Sequence, residues 1–288
     1  MPAQAKEKAP RRPGSNTAQS LREYARGLAG GLLFSLPILY TMEMWWSGFL
    51  ATPMRLLAGL AATFCLLILY NLFAGLRCDA SPAEILIDSV EEMGLGIIAA
   101  ALLLWLLDRI NLSMEPLEIV GKIVTEGLVM AIGVSVGTAQ LGDSVEAEEG
   151  ALPAYRQHEP WRQLALAACG AVVFAANVAP TEEIMMLGAE LSLQGLLGLA
   201  MLSIAVGAII LHYSGFTASV AGSEAGVAAV VRSTTQSYAV ALLVSAAVLW
   251  FYGRFTGESA VAASAQTIVL GFAAMLGASA GRLLLEPS

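Results

Sequence analysis

Eight stretches of this chain are apolar over about 20 residues, the length an α-helix needs to cross a bilayer core of roughly 30 Å. They lie at residues 27–49, 55–76, 85–107, 117–141, 161–180, 194–213, 233–252 and 260–284. A backbone inside lipid must satisfy its own hydrogen bonds, which restricts such segments to helices or a closed barrel. Runs this long and this continuously apolar fit only helices. The expected fold is therefore all-α, a polytopic membrane protein of about eight transmembrane helices, with the lipid bilayer as its first partner. Composition agrees: 57% of the 288 residues are hydrophobic and 13% are charged, the latter about half the ~25% of soluble domains. The net charge of −8, with no basic patch beyond the N-terminal tail, excludes a nucleic-acid partner.

Connections between the runs are short. The longest internal one, 142–161, reads as an acidic cytoplasmic linker, and residues 1–21 read as a disordered basic cytoplasmic tail. The first apolar run is long, carries Pro37 and Glu43 and has no small-residue cleavage site, so a signal peptide is not expected. Basic residues set the orientation. With the N-terminus inside, the cytoplasmic face receives Lys6, Lys8, Arg11, Arg12, Arg22, Arg26, Arg77, Arg156, Arg162, Arg232 and Arg282. The other face receives Arg55, Arg109 and Arg254. Both termini are thus expected to be cytoplasmic.

The chain repeats itself. A shift of 140 residues aligns Arg22, Ala25, Gly30, Phe34, Thr41, Glu43 and Gly48 with Arg162, Ala165, Gly170, Phe174, Thr181, Glu183 and Gly188. The register continues from Gly75 to Gly215, from Trp105-x-x-x-Arg109 to Trp250-x-x-x-Arg254, and from Gly133-x-Ser135-x-Gly137 to Gly277-x-Ser279-x-Gly281. Two four-helix repeats follow, 22–141 and 162–288. An even number of spans gives both the same orientation, so they are parallel repeats about an axis along the membrane normal.

Charges inside a span cost ~2.5–3.5 kcal/mol each on insertion scales and so mark function or pairing. Glu43 and Glu183 share the pattern Phe-x6-Thr-x-Glu near the ends of spans one and five. Pro37 and Pro180 free backbone carbonyls nearby. With Thr41, Thr181 and Glu182, these groups supply oxygen ligands suited to a hard cation or a proton. Glu84, Asp88, Glu91 and Glu92 open span three at helical spacing, opposite the hydroxyl-rich Ser233–Ser237 of span seven, and read as a cation vestibule. Glu118, Lys122 and Glu126 form an i, i+4, i+8 stripe, in which Lys122 and Glu126 are expected to pair.

Other patterns carry less. Gly-x-Ser-x-Gly, the nucleophile-elbow spacing, falls inside two apolar spans and reads as a helix-packing face. Cys65, Cys78 and Cys169 are scattered, and His158 and His212 are the only histidines. No cofactor and no histidine or cysteine metal site is expected.

Three family resemblances follow from short segments. The stretch from Gly31 to Trp46, with Phe174–Glu183, resembles a bacterial family of multi-pass integral membrane proteins of unknown function. That likeness implies a multi-pass protein of the bacterial inner (plasma) membrane over nearly the whole chain, with no activity attached. Arg26 with Phe34-Ser35 is loosely similar to the signature of lysosomal-type potassium channels, though Leu36 replaces its aspartate, and Asn177-x-x-Pro180-x-Glu182 to the acidic repeats of cation exchangers. Ala179-Pro180-Thr181-Glu182-Glu183 resembles the paired-glutamate motif of CAAX-type intramembrane proteases, but Leu187 stands where that family has arginine.

The expected function is a cation channel or ion-coupled transporter, with a small cation or proton as partner and a homo-oligomer as one possible assembly. Its ion path or gate would use Thr41, Glu43, Thr181, Glu182, Glu183, Asp88, Glu91, Glu92, Lys122 and Glu126. The alternatives are a glutamate-dependent intramembrane hydrolase using Glu182, Glu183 and His212, or a non-catalytic membrane sensor or assembly factor.

Overall fold

Proline opens four helices here, at the position where its missing N–H costs nothing and its fixed φ already suits the helix. The computed structural model describes residues 17–74, 81–140, 160–212 and 224–284. Among them the order is α1 (Thr17–Leu39), α2 (Met42–Leu50), α3 (Pro53–Ala74), α4 (Pro82–Leu106), α5 (Pro116–Gln140), α6 (Pro160–Val178), α7 (Glu183–Glu190), α8 (Leu193–Leu211), α9 (Glu224–Phe251) and α10 (Ala260–Leu284). Seven of these are long and apolar enough to cross a membrane. The start of α4 shows how locally a boundary is encoded. Ser81 N–H donates to Glu84 Oε2 at 2.7 Å and Glu84 N–H to Ser81 Oγ at 3.4 Å, a reciprocal cap just before Pro82.

The first apolar run is not one straight span. It breaks between α1 and α2, whose axes meet at 90°. Pro37 lies one turn before the break. Thr41 then ends the helix: its N–H and its hydroxyl both donate to the Ile38 carbonyl, at 3.0 and 2.9 Å. The repeat does the same. Thr181 N–H and Oγ donate to the Val178 carbonyl at 3.1 and 2.8 Å, after Pro180. In each half a short helix, α2 or α7, therefore links the first span to the second. The helix α1 begins at Thr17, inside the stretch expected to be tail. The remainder of that tail, the acidic linker at 142–159 and the Gly75–Gly215 match lie outside the described residues.

The same helix pairs pack in both halves. The first span of each half crosses the last at glycines. A Cβ on Gly30 would lie 2.4 Å from Gly137 Cα, and one on Gly170 would meet the Gly277 carbonyl oxygen. The Gly-x-Ser-x-Gly stretches are these crossings, and the missing side chains let the backbones touch. Direction follows from the contacts. Leu56 packs with Val124, and Tyr70 with Val136, so α3 and α5 run parallel. Gly27 faces Thr138 and Gly31 faces Met130, so α1 opposes α5. Arg162 Nε donates to the Phe73 carbonyl at 3.0 Å and Cys169 Sγ faces that of Leu66, so α6 opposes α3. Hence α1 and α6 point the same way and the two halves share one orientation. The side of the bundle where α1 and α6 begin is called the tail side below, and the opposite one the far side.

Two helical glycines among the described residues make no such contact. A Cβ on Gly94 or Gly198 would have no atom within 4 Å. Replacing either by alanine is expected to stabilise the protein by about 0.5–1 kcal/mol through backbone entropy, read as a raised melting temperature in detergent.

Candidate functional site

The residues expected to bind an ion lie in three places, and the structure redistributes their roles. Thr41 and Thr181 donate their hydroxyl protons to the carbonyls of Ile38 and Val178 at the helix breaks, which leaves the hydroxyl oxygens as acceptors. Glu43 is half-buried in the first turn of α2, while Glu182 and Glu183 are exposed at the start of α7. The repeat register pairs Glu43 with Glu183, yet the carboxylate that joins Glu43 is Glu182. Both act on Arg254, in the turn after α9: burial lowers the pKa of its guanidinium and these two acids oppose that shift. These are charged neighbours at the far side rather than a contact ion pair, and the Arg254 guanidinium itself meets Met185 Sδ at 3.5 Å. His212 follows the last residue of α8, at the tail side. It is separated from Glu182 and Glu183 by the length of that 19-residue helix, about 28 Å at 1.5 Å per residue. The pocket that a hydrolase reading needs is not formed by these three residues.

The acidic vestibule divides by helical phase. The buried stripe of α4 is Ile85, Ser89, Glu92, Gly96, Ala100 and Leu104. Glu84 and Glu91 fall outside it and are exposed, and Asp88 lies at its edge. Tyr24 of α1 donates to Glu91 at 3.5 Å. Only Glu92 enters the bundle, 8% exposed. There Asn71 Nδ2 donates to Glu92 Oε2 at 2.8 Å and to Ser89 Oγ at 3.1 Å, and Ser135 Oγ reaches Asn71 Oδ1 at 3.5 Å. Asn71 was not legible as a site residue in the sequence. A lone asparagine near a span end carries no pattern, and only the meeting of α3, α4 and α5 gives it a role.

The expected Lys122–Glu126 pair does not form. Lys122 turns toward the far side instead. Its ammonium donates to Glu118 Oε1 at 2.6 Å and to the Arg109 carbonyl at 3.2 Å. Lysine at i+4 from glutamate is the better of the two orientations on a helix, and this direction brings the ammonium toward the water at the span end, as long cationic side chains prefer. Glu126 is left behind. Its side chain is 1% exposed, and neither carboxyl oxygen has a hydrogen-bond partner among the described residues. It lies ten residues into α5, about 15 Å from the start of that helix, or half a bilayer core. From the second half, the half-buried Tyr252 phenol donates to the Ala176 carbonyl at 3.4 Å. Ser135 lies beside Glu92. The two buried carboxyls are thus nine residues apart along α5, about 13 Å at 1.5 Å per residue.

The repeat shows how unequal the halves are. Gly48 packs on Lys122 as Gly188 packs on Gln266, which fixes the register of α5 on α10. In that register Lys122 matches Gln266, and Glu126 matches the fully buried Leu270. On α4 and α9 Glu92 matches Ser237. Every buried carboxylate named here belongs to the first half, and the second half builds the same packing without it.

Helices of this length and polarity, doubled about one direction, define a polytopic α-helical membrane protein. Residues 23–285 match the family described as Putative integral membrane protein (DUF2391), and the chain belongs to that family. Neither a curated protein nor a solved structure matches it.

Proposed function

We propose that this protein is a transporter that moves a proton or small cation across the membrane, with Glu126 as the group that binds it. One observation carries the reading: a carboxyl at mid-depth, 1% exposed and without a hydrogen-bond partner. An ionised carboxylate left alone in such surroundings costs several kcal/mol. A proton or a cation must therefore accompany it, and exchange of that companion is the simplest use of the site. Buried ionisable groups in spans mark ion paths and proton relays by default. Glu92 with Asn71, Ser89 and Ser135 provides an all-polar station on the tail side, and the Glu43, Glu182 and Arg254 cluster lies where ions meet the far side. Enclosure of Glu126 favours an occluded carrier over an open channel. An unpaired carboxyl also weighs against a purely structural sensor or assembly factor, in which intramembrane charges would all be matched. The basic-residue bias supports a cytoplasmic tail side.

The test is flux in proteoliposomes under imposed gradients of H⁺, Na⁺, K⁺ and Ca²⁺, comparing wild type with Glu126→Gln. The glutamine keeps shape and removes the titratable group. Wild-type flux of one of these ions should fall in the variant to that of protein-free vesicles, while the variant stays monodisperse and helical. Equal flux in both proteins, or none in wild type, sinks the reading.

A further inference from the structure

The second half acts as an internal control for the first: a residue the fold requires should recur in both, and a residue present once answers another need. At the far side the two halves share one turn. Asp108 N–H donates to the Trp105 carbonyl at 3.1 Å and Arg109 N–H to that of Leu104 at 2.8 Å. Gly253 N–H donates to Trp250 at 3.0 Å and Arg254 N–H to Leu249 at 2.9 Å in the same way. The first residue of each pair has a left-handed backbone, φ 56° at Asp108 and 78° at Gly253. Glycine takes that conformation freely, and an L-residue pays for it. Asp108 alone among the described non-glycine residues has a positive φ; aspartate is among the few L-residues that tolerate this region, and here it brings a carboxylate where the second half has none.

That side chain lines a pocket of about 340 Å³. Its walls are Trp45, Trp46 and Phe49 of α2, and its polar lining is Asp108, Arg109, Glu118 and Lys122. In the repeat register Trp45, Trp46 and Phe49 become Met185, Met186 and Ala189, and Glu118 becomes Ala262. Of this polar set only Arg109 recurs, as Arg254. The fold therefore needs the arginine and does without the rest.

The uncommitted groups define the ligand. Arg109 lies 4.4 Å above the Trp45 ring and uses Nε on the Leu107 carbonyl at 3.0 Å. The two Nη groups have no partner among the described residues and offer a fork for an oxyanion. Lys122 is occupied by Glu118 Oε1 and the Arg109 carbonyl. The Asp108 carboxylate makes no hydrogen bond among the described residues, and Glu118 Oε2 stays open beside the Oε1 that holds Lys122, so carboxylate oxygens from both residues remain for a cation. Trp46 and Phe49 are exposed, 62% and 58%, and supply apolar faces that also attract an ammonium. We infer that this pocket binds a zwitterion, a primary ammonium joined to an oxyanion: the oxyanion on Arg109 and the ammonium on Asp108 and Glu118. Such a group comes either from an aminophospholipid headgroup or from a free amino acid or phosphoethanolamine. The site is independent of ion movement at Glu126.

Tryptophan emission of the purified full-length protein in detergent tests this without measuring flux. Short-chain phosphatidylethanolamine, phosphatidylglycerol, phosphoethanolamine and glycine are the four titrants. Saturable binding of a zwitterion, with phosphatidylglycerol weaker, is expected. Asp108→Gly should weaken the zwitterion about tenfold, the worth of one charge-assisted hydrogen bond, and leave phosphatidylglycerol unchanged. The variant should fold, because Gly253 occupies the same turn. Binding by the lipid alone assigns the bilayer as source, and binding by phosphoethanolamine or glycine assigns a solute. Equal zwitterion affinity in wild type and Asp108→Gly, or no saturable binding of any zwitterion, overturns the inference.

Discussion

Glu126→Leu should make the protein more stable and abolish ion movement. Leucine is the residue the second half places at the equivalent position, Leu270, fully buried in the same packing. Glu126 is 1% exposed, and its carboxyl has no hydrogen-bond partner among the described residues. Replacing buried charge by a well-packed apolar side chain is neutral or stabilising by about 1–4 kcal/mol, and the absence of any partner here places the expectation on the stabilising side. Thermal melting in one detergent, followed by tryptophan emission, reads the gain, and proteoliposome flux reads the loss. The two effects should have opposite signs, as at sites where function is kept at the expense of stability. A variant that is markedly less stable would mean that Glu126 is a structural residue whose partner forms only in the membrane. That outcome would remove the main support for transport through this group.

The second large effect concerns the helix crossings. Gly170→Val should prevent the second half from assembling. The Gly170 Cβ would meet the carbonyl oxygen of Gly277, with Gly281 Cα at 2.9 Å. These are backbone atoms, so no rotamer change relieves the clash and α6 must separate from α10. Overpacking of a well-packed core usually costs about 1–3 kcal/mol. A clash with two backbone segments should exceed that range, and the readout is loss of the monodisperse peak on size exclusion. Gly170→Ala should be intermediate. If valine were tolerated at wild-type yield and melting temperature, close backbone contact would not be what joins these helices.

Much of the fold was legible because lipid leaves few choices. Long apolar runs had to be helices, and the glycine spacing on spans four and eight marked faces that approach closely. The helix breaks were partly legible: Pro37 and Pro180 stood in the sequence, but only the structure showed the 90° turn between α1 and α2 and the threonine hydroxyls closing on Ile38 and Val178. The site was less legible, for a physical reason. The repeat drew attention to Glu43 and Glu183, which both halves share, and what both halves share serves packing and the ionic caps at the far side. The carboxyls that enter the bundle, Glu92 and Glu126, lie where the halves differ. A single stripe of Glu118, Lys122 and Glu126 allows two pairings of equal spacing; the order glutamate before lysine favours Glu118, and that is the pair that forms.

By itself, then, the sequence determined that this chain crosses the membrane as helices, because hydrophobic length and the cost of unpaired backbone in lipid admit no other arrangement. Only the tertiary structure decided which acids are buried. One residue, about 100° of helical phase, separates exposed Glu91 from enclosed Glu92, and the reach of Lys122 toward the far side leaves Glu126 without a partner among the described residues. Those outcomes depend on neighbouring helices that no local stretch of sequence specifies.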